Sequence, residues 1–334
     1  MSNHIEALRE TAKKDPRTVV LPEGDELRTL KAASFVSSEG IAKIIIIGKP
    51  EAVRKLAAEN SVSVDKTEII DPEKYPRSEE MVEQFYELRK HKGVTMKDSR
   101  EAIYGNRVYF GAMLARLDVA DGFVAGANHT TSNVARAALF CVGLEDEISV
   151  MSGSFLVEFE KCPYGNNGLF IFGDCGVVPD PDPVKLADIA ISTSRLYEQF
   201  FRQKPYVALL SYSTKGSARG ESVDKVLKAL EIIRKKAPGL MADGELQLDA
   251  AVVPEVGKIK APTSRIAGQA NVLIFPNLDS GNISYKLAQR LGNARVVGPL
   301  LQGVKKPASD VSRGCDVDEI IDAIAATVVR AQKC

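Results

Sequence analysis

The chain carries no net charge. Its 334 residues hold 44 basic and 44 acidic side chains, and the pI is about 6.9. That balance gives no electrostatic case for nucleic acid or an anionic membrane as partner, although local basic pockets for small anions stay open. Histidine is scarce. The three residues, at 4, 91 and 129, show no metal-ligand spacing, so a histidine-based zinc site is not expected. The five cysteines, at 141, 162, 175, 315 and 334, contain no CxxC pair. Their odd count and wide spacing predict reduced thiols in a cytoplasmic protein. The longest apolar runs, such as "IIII" at 44–47, fall far short of a membrane span. The opening "MSNHIEALRE" has neither a basic nor an apolar signal region, so no secretory signal is expected. There is no G-x-x-x-x-G-K-[ST] and no G-x-G-x-x-G, which disfavours an ordinary ATPase or a Rossmann dehydrogenase.

What is present is an ordinary soluble balance, 45% apolar and 26% charged, in a chain long enough for two domains. Apolar runs without polar alternation are each followed by a helical pattern. "RTVVLPEG", "AKIIIIG", "ADGFVAG", "YVALLSYS" and "ANVLIFPN" read as strands of an α/β fold, with parallel sheet covered on both faces. The middle differs: "ISVMSGSFLVEF" and "GLFIFGDCGVV", joined by "EKCPYGNNG", read as an antiparallel β-arm or hairpin. A domain boundary is placed near residue 147. The helix after Cys315 has no following strand and is expected to fold back onto the first domain.

In open parallel sheets, ligands collect beyond the carboxyl ends of the strands. Four such ends carry small polar residues: "GANHTTSN" (126–133), "SYSTKGSA" (211–218), "NLDSGNISYK" (277–286) and "SDVSRG" (309–314). Hydroxyls and glycine-exposed N–H groups near helix starts suit an anion. Each loop alone is as well explained by helix capping. Together, with Lys215, Lys286 and Arg313 beside them, they point to a phosphate-bearing substrate. In "SDVSRGCDVDEII", Asp316 is a good N-cap with Glu319 at the capping-box spacing, which leaves Ser312 and Arg313 unexplained by local structure. The D-x-D of "VVPDPDP" reads as a rigid turn rather than a metal site. His129 fits a structural role as well as a ligand-facing one. Cys162 and Cys315 lack a sequence-adjacent histidine, so inert thiols are the expectation.

The segments "VVLPEGDELRTLKAA", "ELRKHKG", "ADGFVAGANHTTSNVARAAL", "SYSTKGSA", "ADGELQLDAA", "FPNLDSGNISYKLAQRLG" and "GPLLQGVKKPASDVSRGC" together resemble the phosphate acetyltransferase (phosphotransacetylase) family, across essentially the whole chain. The resemblance implies two doubly wound α/β domains of the isocitrate and isopropylmalate dehydrogenase kind, with a cleft between them. The first would span 1–147 plus 300–334, including the C-terminal helix, and the second 148–299, with the β-arm. It also implies a homodimer. The implied reaction is acetyl-CoA plus phosphate in equilibrium with CoA plus acetyl phosphate, by direct attack in a ternary complex. Coenzyme A is then a substrate, and no metal or other cofactor is implied.

By the same resemblance, Ser312 and Arg313 match the pair at the reacting centre. The arginine fork would pin the phosphoryl group, and the hydroxyl would donate to the developing oxyanion. Arg136 and Arg89 match arginines tied to coenzyme A or anion binding. Thr130, Thr131, Ser213, Thr214, Lys215, Asn282, Tyr285 and Lys286 would line the cleft, and Cys162 would sit nearby without acting as a nucleophile. The family usually places an aspartate base seven residues after the serine. Here that position is Glu319, with Asp318 before it, so either acid remains the candidate base. Two other readings stand beside this one: a phosphate acyltransferase for a longer acyl group (butyryl or propionyl), and a non-catalytic acyl-CoA-sensing domain.

Overall fold

The computed structural model describes residues 4–332; Cys334 lies outside them. Along the chain the strands are β1 (Thr18–Leu21), β2 (Lys43–Ile47), β3 (Glu68–Ile70), β4 (Gly122–Ala125), β5 (Ser152–Glu158), β6 (Leu169–Gly173), β7 (Val207–Leu210), β8 (Ala242–Leu246), β9 (Val272–Ile274), β10 (Arg295–Gln302) and β11 (Ala308–Asp310). The described residues form two compact units. A terminal unit comprises 6–143 and 304–332, and a central unit comprises 4–5 and 144–303.

In the terminal unit the strand order is β3-β2-β1-β4-β11, and every pairing is parallel. Strands covered on both faces need apolar residues at successive positions. Val19, Val20 and Leu21 of β1 and Ile44 to Ile47 of β2 are accordingly all buried. The helix Val317–Ala331 packs on β4 and on the helix Leu27–Ser38, burying Ile320, Ile324 and Val328. Each such aliphatic side chain taken from water contributes roughly 1.5–3 kcal/mol.

In the central unit the order is β10-β5-β6-β9-β7-β8. The β10–β5 and β5–β6 pairings are antiparallel and the rest are parallel. β5 and β6 form a hairpin, but both strands are interior to this sheet and buried along their length, so they do not project as an arm. Phe155, Phe170, Phe172 and Phe275 fill the core beside them.

Candidate active site

Parallel pairing sets the main geometry of the terminal unit. Asp310 is in register with Ala125, and the Val311 N–H donates to the Ala125 carbonyl at 2.8 Å. The loops after β4 and β11 therefore leave neighbouring strand ends side by side. Gly126 stands at φ +115°, and a Cβ there would overlap the Asp310 carboxylate and the Val311 carbonyl, so glycine is required on both counts.

The amides of the 126–129 loop do not face an open anion site. The Glu23 carboxylate, buried just after β1, accepts from the N–H groups of Gly126 (3.1 Å), Ala127 (3.0 Å) and Asn128 (2.7 Å), and lies 2.8 Å from His129 Nδ1. The protein supplies its own anion to that cradle, and His129 belongs to the same cluster. Beyond it, Thr130 caps the helix Thr131–Ala137 by accepting from Asn133 N–H at 3.3 Å. Thr130, Thr131 and Arg136 are exposed. Arg136 Nε donates to the Ser132 carbonyl at 3.1 Å, and no carboxylate among the described residues pairs with it. Arg89 lies over the Phe140 ring at 3.9 Å, on the turn that continues from the Arg136 helix. The two arginines thus sit on adjoining elements.

After β11 the chain exposes Ser312 and Arg313. Ser312 Oγ accepts from Gly314 N–H at 3.2 Å, which leaves its own O–H available to donate. The Arg313 guanidinium has no carboxylate partner among the described residues. Asp316 caps the helix Val317–Ala331, accepting from Glu319 N–H at 2.8 Å. The two acids that follow diverge. Asp318 pairs with Arg9 at 3.1 Å, and Arg9 also holds Asp322 at 2.7 Å, one turn along the same face. Glu319 is half-buried, and its charge adds to the rise of the Cys315 thiol. Burial is the main cause of that rise, which carries Cys315 to about 12. Burial likewise pushes up the thiols of Cys141 and Cys175.

The central unit treats its strand-end loop in the same way. Buried Glu245 accepts from Ser213 Oγ at 2.9 Å and Gly216 N–H at 2.7 Å. Ser213 and Thr214 are themselves buried, and Thr214 N–H is taken up by Ser217 Oγ. Lys215 Nζ is bound to Asp243 at 2.6 Å and to the Gly244 carbonyl at 2.8 Å. Burial works to raise the Asp243 carboxyl, but the Lys215 and Ser264 donors hold it below the usual range. On the helix Leu278–Arg290, Asn282 donates to the Cys175 carbonyl at 3.2 Å. Tyr285 stacks on Phe155 at 4.1 Å. Lys286 is exposed, 5.1 Å above the Tyr285 ring. Cys162 is half-buried against the phenylalanine core. Asp182 of the D-x-D caps the helix Pro183–Phe201, and Asp180 pairs with Lys225.

A family model described as phosphate acetyl/butaryl transferase matches residues 3–328. The chain belongs to that family. A phosphate acetyltransferase of Thermoanaerobacterium thermosaccharolyticum is 46% identical, over 98% of this chain and 99% of its own length. A phosphotransacetylase structure from Streptococcus pyogenes covers 99% of both chains at 40% identity, with TM-score 0.92. A 4-hydroxythreonine-4-phosphate dehydrogenase from Klebsiella pneumoniae, 12% identical, shares the fold at TM-score 0.58 over 95% of this chain and 100% of its own. The α/β fold of dehydrogenase kind expected from the sequence is thus the fold observed, and as a phosphate acetyl/butaryl transferase the chain is an acyltransferase.

Among the expected residues of this family site, Ser312, Arg313, Arg136, Thr130, Thr131 and Lys286 stand exposed. Ser213, Thr214, Lys215, Asn282 and Tyr285 are held in the protein's own contacts. Sequence reasoning missed Glu23, Glu245, Arg28 and Asp310. The signal for the first was a carboxylate set immediately after a buried strand, in "VVLPEG". Asp310 is 1% exposed, and neither carboxylate oxygen has a well-formed hydrogen bond among the described residues. Burial pushes its carboxyl up to about 7; the Thr131 side chain opposes this and the Glu23 charge adds to it.

Proposed function

We propose that the chain interconverts acetyl-CoA plus phosphate and CoA plus acetyl phosphate, by direct attack in a ternary complex. The observation that carries this reading is the exposed Ser312–Arg313 pair, with a guanidinium that no carboxylate among the described residues neutralises. In the proposed step the coenzyme A thiol yields its proton to Glu319 and its sulfur attacks the acetyl carbonyl carbon. The carbonyl oxygen takes negative charge and accepts from the Ser312 hydroxyl. The C–O bond to phosphate then breaks, and phosphate leaves with the bonding electrons, its charge matched by Arg313. Arg136 and Arg89 would hold the phosphates of coenzyme A. Glu319 is preferred because it stands at the position where the resemblance places the base, seven residues after Ser312; Asp318, paired with Arg9, is the alternative.

Coenzyme A enters as a substrate, and no metal or further cofactor takes part. For the assembly we propose a cytoplasmic homodimer. The unpaired thiols support the compartment. The dimer is supported by Ile283, Leu287 and Leu291, exposed at four-residue spacing along the helix Leu278–Arg290 and its C-terminal cap. The test is thiol release from acetyl-, propionyl- and butyryl-CoA with and without phosphate, after exhaustive chelation. Phosphate-dependent release fastest with acetyl-CoA is expected. Faster turnover of butyryl-CoA would move the substrate to the longer acyl group. Absence of phosphate-dependent release from all three would leave an acyl-CoA-sensing domain.

A further inference from the structure

Arg28, in the first turn of the helix Leu27–Ser38, is absent from the scheme above, yet its guanidinium is the most committed group near the site. Glu26, the N-cap of that helix, grips it from one side, with Oε1 accepting from Nε at 2.9 Å and Oε2 from Nη2 at 3.0 Å. On the other side Nη1 donates to the carbonyls of Arg313 (2.9 Å) and Cys315 (2.7 Å), and Nη2 donates to the carbonyl of Ala127 (2.9 Å). A guanidinium has five N–H donors, and all five are placed on protein acceptors.

We propose that Arg28 is the positioning residue of the Ser312–Arg313 loop. By drawing in the carbonyls of residues 313 and 315 it fixes the backbone from which Arg313 projects, and by holding Ala127 it ties that backbone to the loop bearing Thr130 and Thr131. It also keeps those carbonyl dipoles, which would repel a phosphate, turned toward a cation. A direct role in binding phosphate is disfavoured because Glu26 already neutralises the charge and no donor is left over. Lysine cannot substitute, since an ammonium is a point charge without the planar fork. The inference rests on the phosphoryl-holding role proposed for Arg313.

The experiment compares the full-length protein with Arg28→Lys, Arg313→Ala and the double variant. Rates of thiol release from acetyl-CoA and inorganic phosphate are measured beside hydrogen exchange of the 126–130 and 311–316 segments. Misplacing a catalytic group by about an ångström typically costs ~100-fold. Arg28→Lys should therefore lower kcat at least ~10-fold while leaving KM for both substrates within ~3-fold. It should also raise exchange in both segments. Because Arg28 acts through the loop that carries Arg313, adding Arg28→Lys to Arg313→Ala should cost clearly less than Arg28→Lys costs in the wild type. Multiplying losses in the double variant, a loss confined to the KM for phosphate, or unchanged exchange in 311–316 would each overturn the proposal. If Arg28→Lys does not fold, Glu26→Gln frees the guanidinium and should give the same pattern more weakly. Should the wild type show no phosphate-dependent release, the functional reading falls, while the exchange data still decide whether Arg28 orders the loop.

Discussion

At Arg313 an exposed charge meets no carboxylate among the described residues, so removing the side chain disturbs little of the fold. Arg313→Ala is expected to keep the wild-type melting midpoint and lose ~100-fold or more in kcat, the scale of a lost transition-state charge partner. A near-normal kcat would displace the site from this loop. Glu319 and Asp318 are adjacent but not equivalent. Glutamine at 319 leaves the helix N–H to Asp316 intact and cannot take a proton. Glu319→Gln should therefore lose ~100-fold in kcat, whereas Asp318→Asn, which only weakens a pairing to Arg9, should stay active. The reverse result would move the base by one position. Asp310 makes a prediction about stability. Its carboxyl titrates near 7 when folded and near ~3.9 when unfolded, so the native state binds the proton more tightly. That contribution is complete below about pH 4 and is lost as pH rises toward about 7. Asp310→Asn carries no such loss. Between pH 5 and pH 8, urea unfolding should show wild type falling relative to the variant by roughly 2–3 kcal/mol. A difference that does not change with pH would mean that the carboxylate is ionised and partnered.

The elements that carry these residues depend on two internal carboxylates. Glu23 and Glu245 each occupy a loop that would otherwise present N–H or hydroxyl donors. Glu23→Gln keeps the shape but offers one acceptor oxygen to donors that now use two. It should destabilise the protein by about 1–3 kcal/mol, the range for leaving a buried donor unsatisfied, and speed hydrogen exchange at 126–128. An unchanged unfolding midpoint would mean that solvent already satisfies those amides. The same two residues show what the sequence could and could not reveal. Strands such as β2 were legible because "KIIII" has no polar alternation. β8 was not, because "ADGEL" reads as polar although Asp243 and Glu245 are buried. β11 is three residues ending in a buried aspartate, and β10 is interrupted by Gly298 and Pro299. The exposed Ser312–Arg313 pair stands out in the sequence because no local structure accounts for it, and its proposed role awaits the Arg313→Ala measurement. "GANHTTSN" and "SYSTKGSA" were read as open anion loops because the glutamates that fill them lie about 100 and 30 residues away in sequence, and no local pattern links partners at such separations.

At the scale of the whole molecule, Leu291 is 78% exposed in line with Ile283 and Leu287. If these residues form the seam of the proposed dimer, Leu287→Asp should sediment as a monomer with unchanged circular dichroism, and a variant that still sediments as a dimer would place the interface elsewhere. The distribution of thiols has a further consequence, for a protein proposed to handle a thiol substrate. Cys315 is only three residues beyond Ser312, yet burial carries it to about 12. At neutral pH roughly one molecule in 10⁵ would hold it as thiolate, the form that attacks disulfides. Oxidised coenzyme A, a disulfide carrying the same recognition groups as the substrate, would therefore dock beside this cysteine without exchanging onto it. Incubation with coenzyme A disulfide should give reversible inhibition with no mixed disulfide at Cys315 by mass spectrometry. The burial that holds this thiol in its protonated form would keep Cys315 out of exchange with its own substrate's disulfide.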